Sequence, residues 1–466
     1  MNKTFFFYDL ETSGLNQRAD RIMQFAGQRT SLDFEPLGEP VNILVKMTDD
    51  ALPSPGAIMV TKITPQQTLQ DGIAEPEFCR MVTEEIFTPG TIALGYNTVR
   101  FDDEFMRATL WRNFYDPYEW EWKDERGRWD LLDVVRLTRA LRPEGINWPV
   151  TDEGKATNRL ELITKLNGLE HTHAHDALSD VYATIAVAKL IHEKQPKLFD
   201  YLFKMRGKRE VQRLVNLENP QPVVYASGRY SAEYDKTTVV APIAPGRNGN
   251  VLVYDLRQNL EELLEKEGAL RQKIAAGEEK EENSKALRRL YYPTVKELCF
   301  NKCPAVAPLG VLEAENGWEK IGLSKSQVEQ NLQILLKHPD FVERMREANE
   351  KRLEFPPASE PEQALYDGFL SDTDRVRVAA VRNADAAHLA DFHPDFADPR
   401  LPELLLHYKG RHFPTALDET EAEQWEKYRT GRIQTQAPKY MEELAKVADK
   451  DDFIAEELKL YLESLL

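Results

Sequence analysis

The chain has 466 residues, 42% of them hydrophobic and 30% charged, a formal net charge of −18 and only three cysteines, Cys79, Cys299 and Cys303. Such a length supports about three domains with real cores, and the acidic balance argues against charge-driven binding of nucleic acid over the whole surface while leaving room for a local basic groove. Three cysteines are poor material for a disulfide framework and fit a reducing cytoplasm. No apolar run approaches the ~20 residues needed to cross a bilayer, and the first apolar stretch is too short, and too soon interrupted by Asp9 and Glu11, for a signal peptide.

Residues 1–195 alternate between strand-like and helix-like periods, the pattern of an α/β domain. Strands are expected at 5–8, 29–32, 41–45 and 91–96, and helices at 78–87, 101–114, 131–141, 160–166 and 177–193. From residue 196 the texture changes to short β-rich runs, at 223–225, 237–240 and 251–254, separated by Gly, Pro and Asn. Residues 196–352 therefore read as a small β-barrel or sheet, interrupted at 261–290 by a segment of mixed charge that predicts an exposed helical insertion. A proline-rich linker at 353–361 leads into residues 362–466, which are helical in pattern throughout. The expected fold is thus an α/β domain, then a β-rich domain, then an all-α domain.

Chemistry concentrates in the first of these. Asp9 and Glu11 close the run Phe5-Phe6-Phe7-Tyr8-Asp9-Leu10-Glu11. On a strand, residues i and i+2 share a face, so the two carboxylates project side by side. Like charges that close repel unless a cation lies between them, and hard oxygen ligands suit Mg²⁺ or Mn²⁺. That arrangement fits metal-assisted attack on a phosphodiester. A third acid, Asp102, follows the turn at Gly95 and Asn97 and opens a helix, where an acid also serves the helix dipole; Asp103 and Glu104 compete with it.

The fourth group is His175-Asp176-Ala177-Leu178-Ser179-Asp180. His175 and Asp180 are about 140° apart on an ideal helix, so both face one site only if His175 lies on the loop before it. Asp180 is assigned to a metal and Asp176 to the helix N-cap, where Asp is favoured. His171, His173 and His175 alternate, but a closed zinc site takes four ligands, often including Cys, and no cysteine is near.

Trp111, Trp120, Trp122, Trp129 and Trp148 fall in one stretch interleaved with arginines. Most are expected in the core; a minority would stack unpaired bases, at ~1–3 kcal/mol each. Lys204, Arg206, Lys208, Arg209 and Arg213 form a separate basic cluster, read equally as a solvated helix face.

Taken together, Asp9-x-Glu11, Asp102 after Asn97 and Phe101, and His175-x₄-Asp180 resemble the three motifs of the DnaQ-like, DEDDh exonuclease family. Intervening segments such as Trp129-Asp130-Leu131-Leu132-Asp133 and Arg142-Pro143-Glu144-Gly145-Ile146-Asn147-Trp148-Pro149 are similar to its bacterial exodeoxyribonuclease I branch over nearly the whole chain. The resemblance implies a ribonuclease H-like catalytic domain, an SH3-like domain and a helical domain. It also implies 3′→5′ degradation of single-stranded DNA to nucleoside 5′-monophosphates, in DNA repair and recombination. Asp9, Glu11, Asp102 and Asp180 would hold two Mg²⁺ ions, with Mn²⁺ an alternative, and His175, with Asp102, would be catalytic. Glu11 and Arg159 would hold the terminal nucleotide, and Arg107, Tyr118, Trp122 and Arg136 the strand. Tyr118 and Trp122 form one stacking face if that stretch is helical. A further implied partner is the acidic C-terminal tail of single-stranded DNA-binding protein, with Arg142 or the Lys204 to Arg213 cluster as its basic contact; the enzyme is expected to be a cytoplasmic monomer with no membrane partner.

Two other readings stand beside this one. An exoribonuclease of the same superfamily would resemble the first domain alone, and a non-cleaving DNA-binding module would lack a metal ligand. A nicotinamide-dependent oxidoreductase is excluded by the absence of a Gly-x-Gly-x-x-Gly turn after the first strand.

Overall fold

The computed structural model describes residues 3–169, 176–278, 280–292, 294–351 and 357–466. Two compact units are present: residues 1–128, 171–185 and 355–466 form the first, and residues 129–170 and 186–354 the second. None of the described helices is long and apolar enough to cross a membrane.

The first unit is organised by a mixed sheet. Its strands are β1 (Thr4–Thr12), β2 (Ile22–Thr30), β3 (Val41–Leu44), β4 (Thr91–Gly95) and β5 (Gly127–Asp130), in the order β3-β2-β1-β4-β5. β1 is central, antiparallel to β2 and parallel to β4. A central strand is covered on both faces, which is why Phe5 to Tyr8 is a continuous apolar run rather than an alternating one. Phe6, Tyr8 and Leu10 enter an aromatic core with Phe25, Phe87 and Trp120, in which the Phe87 and Trp120 rings stack at 4.9 Å.

β2 runs seven residues further towards the N-terminus than its sequence suggests. Gln24 and Gln28 make that stretch look polar, yet both are buried with their amide nitrogens paired, Gln24 Nε2 to Asn42 Oδ1 at 2.9 Å and Gln28 Nε2 to the Gly38 carbonyl at 3.2 Å. Gly27 is required there because a Cβ would lie 2.3 Å from the Phe6 ring. The expected helix at 78–87 is an α-helix over Glu75–Arg80 that continues as a π-helical turn, Met81–Ile86, where the Thr83 hydroxyl donates to the Cys79 carbonyl.

The C-terminal helices belong to this same unit. Ile433, Tyr440, Leu458 and Tyr461 pack with Met23, Met47 and Ile58 in one core, and Leu365, Leu404 and Tyr408 pack with Trp111 and Phe114 in another. The unit also holds a largely buried charge cluster. Glu362 pairs with Arg21 at 3.1 Å, Arg411 at 2.5 Å and Arg432 at 2.6 Å, and Asp50 pairs with Arg411 at 2.7 Å. Burial alone would raise the Glu362 carboxyl, but the three arginines hold it down at about 2. Such clusters add little net stability, whereas stripping one partner costs about 3–5 kcal/mol because the remaining charge is stranded.

The second unit contains an antiparallel sheet of β6 (Val223–Ala226), β7 (Thr237–Pro245), β8 (Val251–Asp255), β9 (Val295–Leu298) and β10 (Ala305–Pro308), in the order β10-β6-β7-β8-β9. The charged insertion forms two helices, Leu260–Ala275 and Lys280–Leu290, between β8 and β9. β9 and β10 were not legible in the sequence: both are four residues long, and they carry Lys, Glu and Pro. The helices Leu131–Leu141 and Leu160–Leu166 begin and end where their 3.6-residue spacing predicts.

Candidate active site

Asp9 and Glu11 lie at the C-terminal end of β1, on the face opposite Tyr8 and Leu10, and the β1–β2 register slips immediately afterwards, between Glu11 and Thr12. Asp180 sits in the first turn of the helix Ala177–Lys194. Asp176 precedes that helix and caps it, its carboxylate accepting the Ser179 N–H at 3.0 Å. One carboxylate oxygen from each of Asp9, Glu11 and Asp180 falls within 4.8 Å of the others. Asp102 opens the helix Asp102–Arg112 and is 4% exposed. Its Oδ1 accepts the Leu10 N–H at 3.1 Å, the amide that lies between the two β1 acids.

Crowding these carboxylates has a measurable electrostatic consequence. Burial, and then the charges of Asp102, Asp180 and Asp176, push the Asp9 carboxyl far above its usual range. Burial followed by Asp9, Asp180 and Asp176 pushes Glu11 up to about 9. Acids raised in this way must take up protons or a cation. The donor set is entirely carboxylate oxygen, the chemistry preferred by hard divalent ions, so these residues fit such a metal.

Behind the acids runs a chain of polar contacts that sequence reading missed. The Tyr8 hydroxyl donates to Asp103 Oδ1 at 2.5 Å, and Arg128 pairs with Asp103 on its other oxygen. Arg128 also holds Glu121 at 3.0 Å, Glu121 holds Arg107 at 2.5 Å, and Arg107 holds Glu104 at 2.9 Å. Of the three consecutive acids, Asp102 thus turns to β1 while Asp103 and Glu104 are engaged with Tyr8, Arg128 and Arg107. No local signal announces this chain, since Tyr8 and Asp103 are 95 residues apart.

Comparison with known proteins places this arrangement. Three family profiles match in succession: Exonuclease over residues 6–188, Exonuclease I SH3-like domain over 206–351, and Exonuclease I C-terminal domain over 359–465. Exodeoxyribonuclease I of Haemophilus influenzae is 40% identical, over 98% of this chain and 96% of its own length. The chain belongs to the exodeoxyribonuclease I family. Among solved structures, E. coli exonuclease I in complex with a dA16 oligonucleotide superimposes with a TM-score of 0.91 at 36% identity, covering all of both chains. A structure described as SSB/exonuclease I in complex with inhibitor CFAM gives a TM-score of 0.87 at the same identity, again over both full chains.

Membership of the exodeoxyribonuclease I family makes the chain a nuclease, with an exonuclease domain, an SH3-like domain and a helical C-terminal domain in that order. His175, with His171 and His173, lies outside the described residues. Arg107 is buried in its pairs with Glu121 and Glu104, its guanidinium 5.5 Å from the Tyr118 ring centre. Only one turn of helix forms here, Glu119–Trp122, and Tyr118 stands before it with φ −122°, so the condition for a shared Tyr118 and Trp122 face is not met. Tyr118 is half-buried and Trp122 is 65% exposed. In the second unit, Arg159 is exposed at the start of Leu160–Leu166, Arg136 pairs with Asp133 at 2.6 Å, and Arg142 contacts the Val311 carbonyl at 3.2 Å and Glu315 at 3.3 Å.

Proposed function

We propose that this nuclease degrades single-stranded DNA from its 3′ end and releases nucleoside 5′-monophosphates. The observation that carries the reading is the convergence of Asp9, Glu11 and Asp180 beside Asp102, an all-oxygen cluster with raised carboxyls. These four acids would hold two Mg²⁺ ions. Bound there, the ions supply a water of lowered pKa and offset charge on the leaving 3′-oxygen. His175 takes the proton of the attacking water, a task for a group that titrates near neutrality. Asp102, fixed by the Leu10 N–H, keeps its carboxylate aligned with β1.

On the substrate side, Glu11 and Arg159 hold the terminal nucleotide. Trp122, largely exposed, offers a ring for a base, while Tyr118 and Arg136 line the strand; Arg107, buried in its pairs with Glu104 and Glu121, holds Tyr118 from behind instead of touching the strand. A single strand as substrate is supported by the related exonuclease I structure that carries dA16. Single-stranded DNA-binding protein is supported as a partner by the related SSB/exonuclease I structure, and Arg142 is the basic residue assigned to its acidic tail. The same reading puts the enzyme in DNA repair and recombination, as a cytoplasmic monomer, with domain limits at 195 and across 353–361.

The test is incubation of 5′-labelled single-stranded DNA, duplex DNA and RNA, each with Mg²⁺ and with EDTA. Stepwise shortening of single-stranded DNA from the 3′ end, dependent on Mg²⁺ and sparing duplex and RNA, is expected. Preference for RNA would move the activity to the exoribonuclease branch, and binding without cleavage would leave only a DNA-binding module.

A further inference from the structure

Asp180 stands on the helix Ala177–Lys194, and the other acids read as the metal site are carried by two further elements: Asp9 and Glu11 by β1, and Asp102 by the helix Asp102–Arg112. One residue of the C-terminal domain reaches both. Tyr366 lies in the 3₁₀ segment Pro361–Asp367. Its hydroxyl donates to Glu104 Oε2 and accepts from Arg107 Nη1 at 3.4 Å, both on the Asp102 helix. Its ring lies 4.9 Å beneath the guanidinium of Arg18, on the loop that leaves β1 after Thr12. That loop is tied to the approach of the same helix by Gln17, whose Nε2 donates to the Arg100 carbonyl at 2.6 Å.

The segment bearing Tyr366 is itself anchored. Trp111 Nε1 donates to the Pro361 carbonyl at 2.9 Å, and Glu362 is locked in the buried arginine cluster. Tyr366 is 43% exposed overall, but partial burial at its hydroxyl, and then the Glu104 carboxylate, push that hydroxyl above its usual range, so it remains a protonated donor at working pH.

We propose that Tyr366 is a positioning residue through which the C-terminal domain sets the spacing of Asp102 against the Asp9 and Glu11 pair, and with it the affinity for divalent cations. This rests on reading those acids as the metal site. Residues that orient metal ligands directly are worth about 10–100-fold in affinity. Tyr366 acts through Glu104 and Arg18, so an effect of about three- to tenfold is expected, with the cation–π contact to Arg18 and the hydroxyl contributing separately.

The experiment is Mn²⁺ binding by electron paramagnetic resonance to the full chain without DNA, for the wild type, Tyr366→Phe and Tyr366→Ala, with melting curves to establish folding. Tyr366→Ala should weaken Mn²⁺ binding about three- to tenfold. Tyr366→Phe, which keeps the ring over Arg18, should show a smaller loss and secures the comparison if the alanine variant folds poorly. In turnover assays kcat should fall at low Mg²⁺ and recover at high Mg²⁺, with KM for single-stranded DNA changed less than about twofold. Unchanged Mn²⁺ affinity in both variants would overturn the proposal, and a raised KM with that affinity intact would make Tyr366 a strand contact instead. Failure of the wild type itself to bind Mn²⁺ would sink the metal-site reading, a result distinct from wild type and variants binding alike.

Discussion

Asp9→Asn is expected to lower kcat on single-stranded DNA by at least about 10²–10³-fold, the usual scale for removing one group that stabilises transition-state charge, while making the metal-free protein more stable. Both effects have one origin. Asp9 is half-buried, and desolvation, then the charges of Asp102, Asp180 and Asp176, raise its carboxyl well above the ordinary range. Asparagine needs neither a bound proton nor a cation at that position, so this cost of folding is removed, a gain of about 1 kcal/mol of the kind seen where function holds a site in a destabilised state.

The same crowding fixes the sign of the pH dependence. Glu11 titrates at about 9 in the folded chain against an ordinary value of 4.5. Between those values the native state binds more protons than the unfolded one, so the unfolding free energy falls as pH rises. The stability is present in full below the unfolded value and is lost as pH climbs through the folded one. Thermal melts of the EDTA-treated wild type should therefore drop between pH 6 and pH 8.5. Added Mg²⁺ should restore the melting temperature, and Asp9→Asn should flatten the slope. A wild-type melting temperature that rises over this interval without metal would contradict the electrostatic account of the site.

His175→Ala should reduce kcat by about 10²–10⁴-fold, the range for loss of a positioned general base, with DNA and Mn²⁺ affinities preserved. Loss of DNA binding in the variant with Mn²⁺ still bound would contradict the assignment, since a proton acceptor contributes to turnover rather than to holding the strand.

What could be read in advance divides by the range of the interaction. Asp9 and Glu11 sharing a face follows from a two-residue period, and the division of labour between Asp176 and Asp180 follows from helix geometry and capping; the Asp176 to Ser179 hydrogen bond is there. Leu131–Leu141 was legible because its apolar stripe is strictly local. The extent of β2 was not, because buried glutamines paired with Asn42 and the Gly38 carbonyl look like surface residues in the sequence. Nor was the setting of Tyr118, which would share a face with Trp122 only on a helix, and the helix there is a single turn that begins after it. Least visible were contacts between distant segments: Arg21 with Glu362, 341 residues apart, and Glu104 with Tyr366, 262 apart. Such pairs exist only once the C-terminal helices have packed onto the first sheet, so no window of sequence contains them.

If the acids at the end of β1 form a centre for two metal ions, the ions should be visible in place. The most direct test is anomalous diffraction at the manganese edge from crystals grown with Mn²⁺ and a short single strand. Two peaks, each bounded by carboxylates from among Asp9, Glu11, Asp102 and Asp180, are expected. A single peak there would contradict the two-ion reading, and no peak there with Mn²⁺ bound elsewhere would contradict the site itself.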